Sequence, residues 1–463
     1  MTDTPWLGDA CSLVDAFRSG ERSPKEELEA TLAAIDRSEL NAFSFLDADE
    51  ALEAATNADV SRPFGGVPLA IKELESIEGW PSTEASLVFK DRKATFTQTS
   101  IERAKAAGCI PFGMTTASEF GGLNVSVTKL NGITGNAWDK TRTAGGSSGG
   151  SSSAVAGGLC TLATGGDGGG SIRIPAAFNG LVGMKGTVGR IPRGPNMMVG
   201  PMTVLLGCLA RSVRDVCRYY DVTTGADERD PYSLPKVDGW ERNLGTHQLA
   251  GKRIAIIPDL GAAVVRPEVE GAVRDAAEML AKDAGLEVVG GVEVKVPPLG
   301  VEWAMANLAT LLADLDGRWP ECKDDLTMEM AFGLTLASEH FDLEMAARCE
   351  ANRSKAFEAM ADVFDRVDFL ACATNPDVAY PAHITVNTRV GDQKVGIENN
   401  GALTIPANIT GNPAISVPIG LVNELPVGIQ IIARHHADAL LLDLAGVVER
   451  ERPWPLVAAG APV

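Results

Sequence analysis

The sequence predicts an α/β fold, and three observations carry that expectation. Short apolar runs of strand length, such as residues 67–71, 109–114 and 252–258, alternate with stretches of helical period. Hydrophobic residues make up 45% of the chain and charged residues 22%, the balance of a soluble globular protein. The length of 463 residues exceeds what one sizeable core needs, yet no linker, repeat or low-complexity segment marks a domain boundary.

In chain order, residues 8–20 read as helix. Ser23-Pro24-Lys25-Glu26 is a helix start: Ser23 caps, Pro24 takes the first position and Glu26 stands where a capping box needs it. Helix is therefore expected over 24–38, then strand over 41–46 and helix over 48–59. The run Gly65-Gly66-Val67-Pro68-Leu69-Ala70-Ile71-Lys72 is apolar, of strand length, and ends in a lysine. A lone lysine is ordinarily a solvated charge, and by residue type alone Lys72 reads as one. Helix 98–107, strand 109–114 and a helix from Thr116 are expected next. Region 142–190 holds two glycine-serine blocks with an apolar helix-and-strand pattern between them. Residues 193–202 are apolar and bounded by Gly and Pro, either a loop over a pocket or a buried connection. Helix 211–224, strand 252–258, helix 267–284 and strand 287–294 follow. Residues 301–366 read as almost wholly helical and are the best candidate for a subregion of their own. Strands at 369–372, 414–418 and 427–432 lead to a final helix at 437–450.

Charge and composition exclude several functions. A net charge of −20 repels phosphates, which argues against nucleic acid or an anionic membrane as a direct partner. Eight cysteines without a CxxC pair read as buried free thiols in a reducing cytosol, hence a cytoplasmic protein. The N-terminal ten residues lack the basic and apolar regions of a secretory signal. The longest charge-free window, 402–421, contains Pro406, Pro413 and Pro418 and is no membrane span. Five scattered histidines, including His435-His436, lack metal-ligand spacing, so no metal is expected.

The unusual feature is the density of glycine and serine in 142–190. Glycine lets backbone approach a ligand closely. Neither block supplies GxxxxGK[ST] or GxGxxG, so a nucleotide site is not expected. Gly145-Gly146-Ser147-Ser148-Gly149 satisfies GxSxG, but the polar residues 138–143 before it are not the buried strand a nucleophile elbow requires. Asp167-Gly168-Gly169-Gly170-Ser171 places three glycine amides before a serine. Such a turn either forms an anion-binding nest beside a nucleophile or is simply a glycine-rich turn before a helix.

Together these segments resemble the amidase signature family of serine hydrolases. The resemblance is carried by Gly145 to Ser151, by Gly165 to Ala176, by Gly183-Met184-Lys185 with Gly189-Arg190-Ile191-Pro192, and by Gly66 to Lys72. Weaker matches are Leu40 to Phe43, Glu119 to Gly121, Ala210 to Val213 and Pro426 to Gln430, so the likeness spans nearly the whole chain. It implies one domain over 1–463, with a mixed central sheet flanked by helices and a mainly helical C-terminal portion. The catalytic core would lie at about 60–225 and the helical subregion at about 301–366. It implies a cofactor-independent hydrolase with Ser171 as nucleophile, Ser147, after a cis peptide, as bridging serine, and Lys72 as base. Burial would lower the Lys72 pKa so that it can take a proton. The N–H groups of Gly168, Gly169, Gly170 and Ser171 would hold the oxyanion. Ser148, Ser151, Asp167 and Arg173 would brace the site.

Two departures stand out. Glycine replaces the Thr usual at position 166 and the larger residue usual at 168 or 169, which should leave the turn roomier. Glu73 replaces the Asp common after the lysine. The family covers small amides, apolar or aryl ones among them, and carbamates (urethanes). It also includes the amidase component of a tRNA-dependent amidotransferase, whose partner subunits contact the RNA. A homodimer is compatible with it. The Met197-Met198-Val199 segment suggests an apolar substrate.

Overall fold

The computed structural model describes residues 4–195 and 203–462. Local chemistry sets its first elements. The Asp9 carboxylate accepts from the Ser12 N–H at the start of α1 (Ala10–Ser19), and Gly20, with φ 75°, closes that helix. Ser23 and Glu26 form the expected capping box on α2 (Pro24–Arg37). β1 (Phe43–Leu46), α3 (Ala48–Thr56), β2 (Pro68–Lys72), α4 (Thr99–Ala106) and β3 (Ile110–Thr115) follow as expected.

The helix expected from Thr116 does not form. The Glu119 carboxylate is drawn inward, accepting from Ser86 Oγ and from Thr327 N and Oγ1, and Phe120 takes a left-handed φ of 52°. The segment instead carries a small hairpin of β4 (Val127–Thr128) and β5 (Gly132–Ile133).

Region 142–190 gives α5 (Gly149–Ala156), β6 (Leu162–Asp167), α6 (Arg173–Asn179) and β7 (Val182–Lys185). β8 (Leu205–Ala210) is a strand that the sequence reading lacks. Every residue of it is buried, so it shows no alternation to reveal it. α7 (Val213–Thr223), β9 (Arg253–Ile256) and α8 (Pro267–Ala284) match their expectations. The strand expected over 287–294 shrinks to β10 (Glu287–Val288), an exposed edge that ends before Gly290-Gly291. The helical stretch resolves into α9 (Gly300–Asp314), α10 (Met328–His340) and α11 (Leu343–Arg366). β11 (Phe369–Ala373), the pair β12 (Arg389–Val390) and β13 (Gln393–Lys394), α12 (Ile405–Ile409), β14 (Ala414–Val422), β15 (Leu425–Ala433) and α13 (Asp438–Glu451) complete the chain.

Among the described residues eleven strands form one mixed sheet in the order β1-β3-β2-β6-β8-β7-β14-β15-β11-β9-β10. β3, β2 and β6 run parallel, as do β11, β9 and β10; the remaining neighbours are antiparallel. The α/β class with a mixed central sheet is therefore the observed one. Strand residues alternate between two buried clusters: Leu69 and Ile71 enter one with α1, α7, α8 and α13, and Ala70 enters the other with α2, α3 and α5. α9 and α10 build a separate apolar cluster around Leu311, Leu315, Met330 and Leu334. Among the described residues no helix is long and apolar enough to cross a membrane. All eight cysteines are free, and all but Cys349 are buried.

Candidate active site

Parallel pairing brings the C-terminal ends of β2 and β6 to one edge of the sheet, where open α/β sheets commonly place their sites. Lys72 ends β2 and Asp167 ends β6. Lys72 is only 2% exposed. The solvated reading of its residue type is overturned, because β2 is covered on both faces. Its Nζ is hydrogen-bonded to Ser147 Oγ at 2.7 Å and donates to the Gly166 carbonyl at 3.2 Å. Its backbone N–H donates to Thr164 Oγ1 at 2.9 Å. Burial pushes the Lys72 ammonium down to about 8, outweighing the nearby carboxylates of Glu75, Asp167, Glu84 and Glu73, which act the other way.

The Gly146–Ser147 peptide bond is cis. Gly146 is enforced by packing, since a Cβ there would lie 2.5 Å from the Val125 backbone nitrogen. Ser147 is buried at the mouth of α5. Ser148 and Ser151 tie the start of α5 to the turn after β6 and to β6 itself: the Ser148 N–H donates to the Ser171 carbonyl at 3.2 Å, and Ser151 Oγ donates to the Thr164 carbonyl at 2.8 Å. Lys72 and Ser147 are thus in direct contact, and Ser171 joins them through the Ser148 backbone. Among the described residues no hydrogen bond links the Ser147 and Ser171 hydroxyls.

Asp167 and Arg173 are both fully buried and pair at 2.8 Å. Burial alone would raise the Asp167 carboxyl, but the Arg173 guanidinium and Asn408 hold it well below the usual carboxylate range. Its Oδ1 accepts the Gly170 N–H at 2.8 Å and its Oδ2 accepts the Ile172 N–H at 3.2 Å. Arg173 also donates to Gln430 Oε1 and to the Thr404 carbonyl. The pair therefore ties the turn after β6 to the start of α6. Gly170 differs from the expectation. Its N–H is committed to Asp167 and not free for a ligand, while its φ of 123° supplies the shape of the turn. The N–H groups of Gly168, Gly169 and Ser171 donate to none of the described residues.

The extra room expected from glycine is not observed at 168 and 169, whereas at Gly166 a Cβ would meet nothing nearer than 3.8 Å. A Cβ on Gly169 would lie 2.9 Å from the Trp303 ring and 3.3 Å from Ile405, and one on Gly168 would lie 3.1 Å from Val204. The space that a larger residue would fill is taken by side chains from elsewhere. Glu73, the other departure, is buried, and its Oε1 accepts from Asn131 Nδ2 at 2.7 Å and from the Ala117 N–H. The Met197-Met198-Val199 segment lies outside the described residues.

Glu75, Thr164, Trp303, Thr404 and Asn408 escaped the sequence reading. Thr404 and Asn408 lie among several polar residues of the charge-free window 402–421, which does not single them out, and Trp303 and Glu75 had no signal. Glu75 is buried, and burial raises its carboxyl to about 7. His435 Nε2 pairs with the Thr410 carbonyl, away from Ser147 and Ser171. Among the described residues one group could hold a metal, Asp9, Cys11 and Asp215. Its carboxylates already accept the N–H groups of Ser12, Ala10 and Cys11. A lysine poised near neutrality against a serine hydroxyl, beside a turn with unclaimed N–H donors, can move a proton and hold an oxyanion.

Known proteins match nearly the whole chain. The Amidase family model matches residues 26–442. A glutamyl-tRNA(Gln) amidotransferase component from Lacticaseibacillus paracasei is 32% identical, over 96% of each chain. The structure of a bacterial aryl acylamidase of the amidase signature enzymes superposes with a TM-score of 0.90 at 26% identity, covering 97% of both chains. That of 6-aminohexanoate cyclic dimer hydrolase gives 0.88 at 26% identity, covering 99% of both.

Proposed function

The chain belongs to the amidase family of amide-hydrolysing enzymes, and within it we propose a hydrolase of small, apolar or aryl amides that works through an acyl-enzyme on Ser171. The observation that carries this reading is the buried contact of Lys72 Nζ with Ser147 Oγ, held beside the unclaimed N–H groups around Ser171. Neutral Lys72 takes the Ser147 proton as Ser147 takes that of Ser171. The Ser171 oxygen attacks the amide carbonyl, and the N–H groups of Gly168, Gly169 and Ser171 receive the negative oxygen. The proton returns to the leaving amine. Water then attacks the acyl-enzyme by the same relay, which releases the acid and restores Ser171. We take residues 60–225 as the catalytic core and 301–366 as a helical subregion of one domain, in a reducing compartment that suits the free thiols.

The superposition on an aryl acylamidase favours a free-standing enzyme. The 32% identity to the amidotransferase component favours a second reading, in which the chain releases ammonia within a larger complex. The purified chain and its Ser171→Ala variant, assayed on an anilide, a primary amide and an aryl carbamate of one aryl amine, decide between them. Turnover by the wild type alone, abolished in the variant, supports the free-standing hydrolase, and the rank order separates amide from carbamate preference. No turnover on any substrate favours the complex. Equal turnover by both proteins removes Ser171 as the nucleophile.

A further inference from the structure

Three side chains from outside region 142–190 grip the turn after β6 by its carbonyls. Asn408 Nδ2 donates to the Asp167 carbonyl at 2.8 Å, Trp303 Nε1 to the Gly168 carbonyl at 3.0 Å, and Thr404 Oγ1 to the Gly169 carbonyl at 2.6 Å. None of these peptide units is cis. A trans peptide is planar, and its C=O and N–H point in opposite directions. Holding the carbonyl of one residue therefore aims the N–H of the next. Asn408 aims the Gly168 N–H, Trp303 the Gly169 N–H, and Thr404 the Gly170 N–H. The last of these meets Asp167 Oδ1; the first two are, with the Ser171 N–H, the donors left unclaimed among the described residues.

We propose that Trp303 is a positioning residue for the reaction, fixing through its indole N–H the direction in which the Gly169 N–H meets the developing oxyanion. The proposal rests on the acyl-enzyme reading above. Trp303 suits the task for two reasons. Its ring lies against Gly169 and packs with Ile405, so the indole cannot swing away without opening a void. It also stands on α9, in the helical stretch and far from the glycine motif in sequence. The absence of a side chain at Gly169 is what admits the ring, since a Cβ there would lie 2.9 Å from it. The glycine that looked like extra room is the socket of this contact.

Trp303→Phe keeps an aromatic ring and removes the N–H donor. Its kcat on an anilide should fall roughly 10- to 100-fold, less than the loss of a direct oxyanion donor, with KM within about twofold. Binding of a trifluoromethyl ketone analogue, which forms a tetrahedral adduct on the serine, should weaken by the same factor as kcat. Gly169→Ala, which crowds the ring, should cost a similar factor, and the double variant should cost little more than either alone. A Trp303→Phe enzyme with kcat within twofold of wild type overturns the proposal. So does a loss expressed in KM with analogue binding unchanged, or full additivity of the two substitutions. Ser171→Ala is measured beside them: turnover in that variant sinks the acyl-enzyme reading itself, whereas its silence with an unaffected Trp303→Phe sinks only the role of Trp303.

Discussion

Substituting Glu75 by Gln should move the acidic limb of the pH–rate profile to lower pH. Lys72 is brought down from 10.5 to about 8 by burial. At pH 7 about one Lys72 in ten is then neutral, against roughly one in three thousand for a solvated lysine, a gain of about 300-fold in usable base. Glu75 opposes that gain. Its N–H donates to the Lys72 carbonyl at 2.8 Å, its side chain bonds Thr164, and its Oε1 has no partner among the described residues. Among the four carboxylates that raise Lys72, Glu75 acts most strongly, ahead of Asp167, Glu84 and Glu73. A glutamine keeps the shape and the bond to Thr164 but removes the charge. The assay is kcat/KM on an anilide from about pH 6 to about pH 10, with wild type and Glu75→Gln side by side. Wild-type activity should climb about tenfold per pH unit and level off near pH 8. The variant should level off lower, with the same plateau. A limb that stays in place or moves upward would refute the electrostatic reasoning, and a flat wild-type profile would remove Lys72 as the titrating base.

Other outcomes follow from the same contacts. Lys72→Met should abolish turnover yet raise stability at pH 7. Charging the buried amine costs about 3 kcal/mol below pH 8, a cost relieved only as pH rises from about 8 to about 10.5, so calorimetry should show a higher Tm. Arg173→Ala strands the Asp167 carboxylate and should cost about 3–5 kcal/mol in urea unfolding. The Asp167 pKa is depressed in the fold, so its stabilisation is present above about pH 4 and is lost as pH falls below that; acid unfolding of the wild type should start there. Native thiol titration should find about one fast-reacting cysteine, Cys349, and all eight only after denaturation.

Much of this molecule was legible in its sequence because much of it is local. Ser23, Pro24 and Glu26 specify the start of α2 within four residues, and the observed capping box needs nothing from elsewhere. The resemblance pointed to Ser147, Asp167, Ser171, Arg173 and Lys72 because the glycine-serine blocks and the Gly66–Lys72 run that carry it are written in consecutive residues. The failures share the opposite cause. β8 hid because a strand buried on both faces has no alternation, and the helix from Thr116 was lost to Glu119 bonds made with Ser86 and Thr327. Residue type alone put Lys72 in solvent; the family resemblance implied a buried base, and the two covered faces of β2 are the physical reason it is buried. Trp303, Thr404 and Asn408 reach the turn from more than a hundred residues away, and no nearby pattern records which carbonyl each will hold. The sequence determined the identities and local turns of the candidate groups, since each turn is encoded in consecutive residues. The tertiary structure decided how basic the lysine is and where the turn's N–H groups point, because desolvation and carbonyl partners come from chain segments that meet only on folding.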